Sequence, residues 1–166
     1  MKKFICLLLT FTCICCLVGC QRTPSAPENA VTVYYKRAAF TYGAQDSVIA
    51  PSYLDATNHE EDFPHLLNEY LKANPEEGFV SPFPLGLSVV SFQVDALTAK
   101  IVLTDQIAIL SGIDLILACG CLTQTIIGLT GCQEVIISAQ SKLLDGQKFI
   151  TLNQNSYLLL DKSAVQ

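Results

Sequence analysis

Cysteine and histidine are the residues that most often carry chemistry, and this sequence has eight of the first and two of the second. A thiol can serve as nucleophile, metal ligand or half of a disulfide, and an imidazole as base or ligand. The spacings support few of these roles. Cys119 and Cys121 stand two apart on an expected helix, so their side chains diverge and cannot bridge each other. Among the four cysteines from Cys20 onward (Cys20, Cys119, Cys121 and Cys132), no CxxC pair and no Cys/His cluster at metal spacing occurs. Cys119, Cys121 and Cys132 therefore read as small buried apolar residues, with a bridge from Cys132 to the helix left open. His59 precedes Glu60, Glu61 and Asp62, but consecutive residues at a helix entrance point in different directions. Acids at that place complement the helix dipole, so the cluster reads as a solvated face and no metal is expected. His65 falls beside Leu66, off the apolar stripe of the same helix. Ser-His-Asp order, a nucleophile elbow and a Gly-rich phosphate loop are all missing. Neither catalytic residues nor a cofactor are expected.

One cysteine has a context of its own. Lys2 and Lys3 precede a fifteen-residue uncharged run, Phe4 to Val18. That run is short for a permanent span of a bilayer roughly 30 Å thick, which takes about 20 residues. It has the build of a secretory signal peptide. Its end, Leu17-Val18-Gly19-Cys20, resembles a bacterial lipobox: an apolar residue three before the Cys, a small one directly before it, and a polar stretch after. Such signals direct a diacylglycerol thioether onto the Cys thiol and cleavage before it. Residues 1–19 are thus expected to be leader and Cys20 the lipidated first residue.

Removing the leader takes Lys2 and Lys3 with it, leaving eight Lys plus Arg against fifteen acids, a net charge of −7 compared with −5 for the whole chain. An acidic body gives no electrostatic case for nucleic acid and is repelled by anionic headgroups. Acyl chains, at about 0.8 kcal/mol per buried methylene, would hold it to the membrane instead. Residues 20–30 are polar, carry Pro24 and Pro27, and read as a tether. At 51% apolar and 15% charged, residues 31–166 suffice for one ordinary domain.

Within that domain, Val31, Val33 and Tyr35 alternate with polar residues as a half-buried strand. Ala38 to Asn58 reads as irregular, with a short extended piece near Ser47 to Ala50 that ends before Pro51. Asp62 caps a helix with Pro64 in its first turn and a stripe of Phe63, Leu66, Leu67, Tyr70 and Leu71. Leu87–Val94 and Ala99–Leu103 form a hairpin about Asp95-Ala96-Leu97-Thr98. A capping box of Ser111 and Asp114 opens a helix over Ile113–Leu129 that is apolar on nearly every face. Thr123, Gln124 and Thr125 argue for a core helix covered on both sides and against a membrane span. Strands are expected at Gln133–Ala139, Lys148–Leu152 and Tyr157–Leu160, with a turn at Asp145-Gly146.

The loop Ser81-Pro82-Phe83-Pro84 is the candidate contact surface. Its prolines restrict the backbone and Phe83 could project as an anchor, or seal one end of the core.

This order of elements resembles the GerMN domain of sporulation and spore-germination lipoproteins. The matching residues are Val33-Tyr34-Tyr35, the helix about Leu66-Leu67, Ser81-Pro82-Phe83-Pro84 with Gly86, Val102-Leu103-Thr104, and the apolar helix with Thr125 and Leu129 running into Val135 and Ile137. Ala38 to Asn58 and the Cys-rich second helix depart from the pattern. The resemblance implies an α+β fold like the ring-building modules of envelope complexes: a small mixed β-sheet with two helices packed on one face. It implies secretion or lipid anchoring in a Gram-positive envelope and brings no catalytic residues. The expected protein is therefore a non-catalytic domain on the outer face of the cytoplasmic membrane. Its partners would be the membrane, through the anchor, and an envelope protein or further copies of itself. A small-ligand receptor or enzyme acting on cell-wall material is the alternative.

Overall fold

Alternation in Val31, Val33 and Tyr35 builds β1 (Ala30–Arg37), with Val33 and Tyr35 buried. The computed structural model describes residues 29–39, 48–56 and 62–154. The leader with Cys20, nearly all of the tether, His59 to Glu61 and the strand expected at Tyr157–Leu160 lie outside the described residues. β1 pairs antiparallel along its length with β2 (Ile49–Asp55) and, at Lys36 and Arg37 only, with the two-residue β3 (Phe79–Val80). The strand order is β2-β1-β3.

β2 corrects the expectation that Ala38 to Asn58 is irregular but for a short extended piece near Ser47 to Ala50 that ends before Pro51. The strand runs straight through Pro51, because β2 is an edge strand and Pro51 stands opposite Tyr34. Tyr34 directs its N–H and C=O to Thr125 and Tyr70, away from β2, so a partner lacking an N–H forfeits no ladder bond there.

Helix α1 (Phe63–Lys72) forms as its stripe predicts: Leu66, Leu67, Tyr70 and Leu71 are buried, and the Asp62 carboxylate accepts the His65 N–H at 3.1 Å. His65 itself is exposed. A second sheet has the order β4-β5-β6-β7, from β4 (Val89–Asp95), β5 (Thr98–Leu103), β6 (Glu134–Ala139) and β7 (Ile150–Asn153). The β4–β5 and β6–β7 pairs are antiparallel and β5–β6 is parallel, so this sheet is mixed. Its parallel pair is joined by a 3-10 turn (Asp105–Ile109) and helix α2 (Gly112–Thr130).

The fold is thus α+β, but its strands divide into two sheets where one was expected. The reason lies in α2, which packs against β1 on one side and β6 and β7 on the other. The helix thus packs on strands of both sheets, and this double cover is what its all-round apolarity expresses. By length and composition α2 would suit a membrane span, yet half of its most apolar stretch is buried in the fold. Cys119, Leu122 and Ile126 sit in one core with Val33, Tyr35, Ile101, Val135 and Ile137, and Cys121 is buried as well. Cys119, Cys121 and Cys132 are buried free thiols, so the bridge left open for Cys132 does not form.

The start of α2 differs from expectation as well. Ser111 makes no capping hydrogen bond. The Gly112 N–H donates instead to Asp145 Oδ2 at 2.8 Å, a charged acceptor from 33 residues along the chain. Gly131 ends the helix in the left-handed conformation, φ 70°, which glycine adopts without a Cβ penalty.

Where β1 meets both helices, three groups close a ring of hydrogen bonds. The Tyr34 N–H donates to Thr125 Oγ1 at 3.0 Å, Tyr70 Oη donates to the Tyr34 carbonyl, and Thr125 and Tyr70 bond to each other. On the edge away from β2, β1 has no neighbouring strand at that point, since β3 reaches only Lys36 and Arg37, and the side chains of α1 and α2 satisfy that edge. This also accounts for a threonine in the middle of an apolar helix.

Candidate functional site

The two faces of the second sheet have opposite fates. Ala99, Ile101 and Leu103 on β5 and Val135, Ile137 and Ala139 on β6 point into the core with the helices. The alternate residues, Lys100 and Val102 on β5 and Ile136 and Ser138 on β6, point the other way. Parallel pairing sets Lys100 beside Ile136 and Val102 beside Ser138. These four side chains floor a groove of about 520 Å³.

Its wall is the segment after β6, with Ser141, Lys142, Leu143, Lys148 and Phe149. Leu143 and Phe149 are 52% and 56% exposed, a poor placement for apolar groups that nothing covers. The wall is nonetheless fastened at two places. Asp105 accepts the N–H groups of Ser141 and Lys142 at 2.8 and 3.1 Å, and the Ser141 hydroxyl as well. The hydroxyl bond of Ser141 is the chief reason that the Asp105 carboxyl lies below its usual pKa, with the two N–H groups assisting. Asp145 and Gly146 make a two-residue turn at φ 46° and 82°, closed by reciprocal Leu144–Gln147 bonds of 2.8 and 2.9 Å. From that turn Asp145 reaches the start of α2. The wall is therefore tied to the 3-10 turn and to α2, not left as a free loop.

Charge is the other feature of the groove. Lys100, Lys142 and Lys148 line it, and no carboxylate, imidazole or thiol does. Among the described residues no ion pair engages these three ammonium groups. Asp95 of β4 and Glu134 of β6 lie at the far, hairpin end of the same sheet. A body rich in acids thus gathers three of its few lysines on the open face of this sheet, Lys100 midway along β5, Lys142 just after β6 and Lys148 just before β7.

Sequence reasoning missed this site. Positions 100, 142 and 148 are far apart in the chain and only the β5–β6 pairing brings them together; the one available signal was the alternation of Lys100-Ile101-Val102. The loop it did select, Ser81-Pro82-Phe83-Pro84, connects β3 to β4 and is half-buried. Phe83 stands edge-on to Tyr70 with centroids 5.1 Å apart, and the Phe83 N–H donates to Ser81 Oγ at 3.4 Å. Leu85, the next residue after Pro84, is 99% exposed and is the apolar group this loop presents outward. Leu17, Val18, Gly19 and Cys20 lie outside the described residues.

No family model matches the chain, and no curated protein matches it at a significant level. Among solved structures it resembles the tandem GerMN domains of the sporulation protein GerM from Bacillus subtilis, with a TM-score of 0.59 at 16% identity. That likeness covers 83% of this chain and 51% of the other, so the chain spans about half the length of the tandem structure. A candidate lipoprotein from Clostridium perfringens is matched over 78% of this chain and 91% of its own, with a TM-score of 0.47 at 12% identity. The chain has a GerMN-like fold.

Proposed function

We propose that this GerMN-like chain is a lipid-anchored, non-catalytic domain on the outer face of the cytoplasmic membrane. It binds or assembles with other envelope components there, in sporulation, spore germination or a cell-wall process. The observation that carries the reading is the run from Lys2 to Cys20: a basic start, an uncharged stretch and Leu17-Val18-Gly19-Cys20, set ahead of such a fold. The thiol of Cys20 takes the lipid, cleavage before it removes residues 1–19, and residues 20–30 form the tether of the single domain 31–166. A net charge of −7 for that body leaves the acyl chains as the only strong attachment to an anionic surface. For binding, the domain offers the open face of its second sheet and the loop Ser81-Pro82-Phe83-Pro84 with Leu85 beside it. The groove holds lysines without an acid, base or nucleophile beside them, which favours holding a ligand over converting it.

Metabolic labelling with a fatty acid tests the anchor. The full chain is expected to carry label in the membrane fraction and to lack residues 1–19. A Cys20→Ala chain that still carries label sinks the reading.

A further inference from the structure

We infer that the groove over β5 and β6 binds a small organic oxyanion, a phosphate or carboxylate joined to an apolar body. The inference rests on the binding-module reading above but not on the lipid anchor. The groove's volume, about 520 Å³, lies within the roughly 300–1,000 Å³ usual for small-ligand sites.

Its chemistry is divided between two kinds of surface. Val102 and Ile136 in the floor and Leu143 and Phe149 in the wall form an apolar cradle. Lys100, Lys142 and Lys148 supply ammonium donors around it and Ser138 adds a hydroxyl, while the Ser141 hydroxyl is already donated to Asp105. An occupant must therefore be rich in acceptors and also carry an apolar group.

A peptide strand fits less well. β5 and β6 are the inner strands of their sheet, each paired on both sides, so they have no free backbone edge for an added strand. An anionic membrane surface is opposed by the acidic body as a whole. Lysines, as compact point charges, suit a phosphate or carboxylate held from several directions.

The wall is also preorganised. Asp105 and Asp145 fix its two parts to elements of the core, so binding need not order it. The Asp105 carboxylate is held chiefly by the Ser141 hydroxyl and by backbone N–H groups, and its attraction to the Lys142 ammonium is the smallest of the effects on it, which leaves Lys100 and Lys148 free of it.

The test uses the full chain with phenyl phosphate as probe, read through the methyl NMR resonances of Val102 and Ile136. Saturable shifts are expected, weakening as salt rises from about 0.05 to 0.5 M. Phenol and inorganic phosphate should each bind at least about tenfold more weakly, because each carries half of the chemistry. Phenylacetate should compete, which would extend the site to carboxylates. Lys100→Gln with Lys148→Gln should weaken phenyl phosphate about tenfold or more, and Phe149→Ala should reduce the preference over inorganic phosphate. All three residues are exposed, so circular dichroism should show these variants folded. The inference is overturned if phenyl phosphate leaves the methyl signals unmoved, if phenol or inorganic phosphate binds as well as it does, or if anionic phosphatidylglycerol vesicles alone move them. An acylated, membrane-bound chain with an inert groove would sink this inference and leave the anchored reading standing. A binding groove on an unacylated chain would do the reverse.

Discussion

Removing the Tyr70 hydroxyl tests how β1 is held to the two helices. In Tyr70→Phe the ring and its contacts with Tyr35 and Phe83 persist, at centroid distances of 5.2 and 5.1 Å, but the Tyr34 carbonyl loses its donor. In Thr125→Val the shape is nearly kept and the Tyr34 N–H loses its acceptor. Tyr70 and Thr125 are both wholly buried, so water cannot easily substitute. Leaving a buried backbone group unpaired costs about 1–3 kcal/mol, and each single variant should lose that much. The midpoint of thermal unfolding should fall by about 2–4 °C per kcal/mol.

The double variant discriminates between a ring and two separate bonds. The Thr125–Tyr70 bond is lost in either single variant, and the remaining members are loosened by the first loss. The combined cost should therefore fall short of the sum by about 0.5–3 kcal/mol. Urea unfolding followed by circular dichroism measures this, with an unchanged m-value as the check that only stability moved. Costs that add to within about 0.5 kcal/mol, or single variants as stable as the parent, would refute the reasoning.

Three further outcomes are expected. Burial pushes the Cys119 and Cys121 thiols and the Tyr35 phenol up to about 12, with Cys119 adding to the effect at Cys121 and Cys121 to that at Tyr35. The unfolded chain releases those thiol protons near pH 8.5–9 and the phenol proton near 10, so unfolding releases protons, and stability should fall as pH rises from about 9 to 12. Urea midpoints that stay level across that window would contradict this, and Cys119→Ala with Cys121→Ala should flatten much of the slope. For the same reason, iodoacetamide at pH 8 should leave both thiols unmodified in the native protein and alkylate them in urea, as read by mass spectrometry. Asp145→Ala should cost about 0.5–2 kcal/mol by uncapping α2, with Asp145→Asn intermediate, and should weaken phenyl phosphate binding by slackening the wall.

Much of the fold was legible in local pattern. The stripe from Phe63 to Leu71 and the cap at Asp62 gave α1, and β-branched runs about a short turn gave the β4–β5 hairpin. Apolarity on every side of α2 predicted cover on both sides, and Asp145-Gly146 predicted its turn. What escaped depends on distant pairs. Pro51 ended a strand in the local reading, because nothing near it tells that Tyr34 opposite turns toward Thr125, 91 residues further on. Ser111 and Asp114 matched a capping pattern, yet the acceptor came from Asp145. The division into two sheets follows from where α2 sits, and that is a matter of packing rather than periodicity. The lysine groove was illegible for the same reason, since its residues meet only in the folded sheet.

The same connection that builds the core also leaves the groove. Parallel strands need a long crossover, and here it is the 3-10 turn with α2, which fills one side of β5–β6 with apolar side chains. Neither helix contributes a lining residue on the opposite side, so Lys100, Val102, Ile136 and Ser138 keep an open face. The strand ends there lead into two segments, the 3-10 turn after β5 and the wall after β6, which Asp105 binds together. A groove formed this way inherits its rigidity from the crossover itself. Substitutions within the α2 core should therefore alter stability first. The groove's affinity should change only when they disturb Asp105 or Asp145, the two residues through which the core holds the wall.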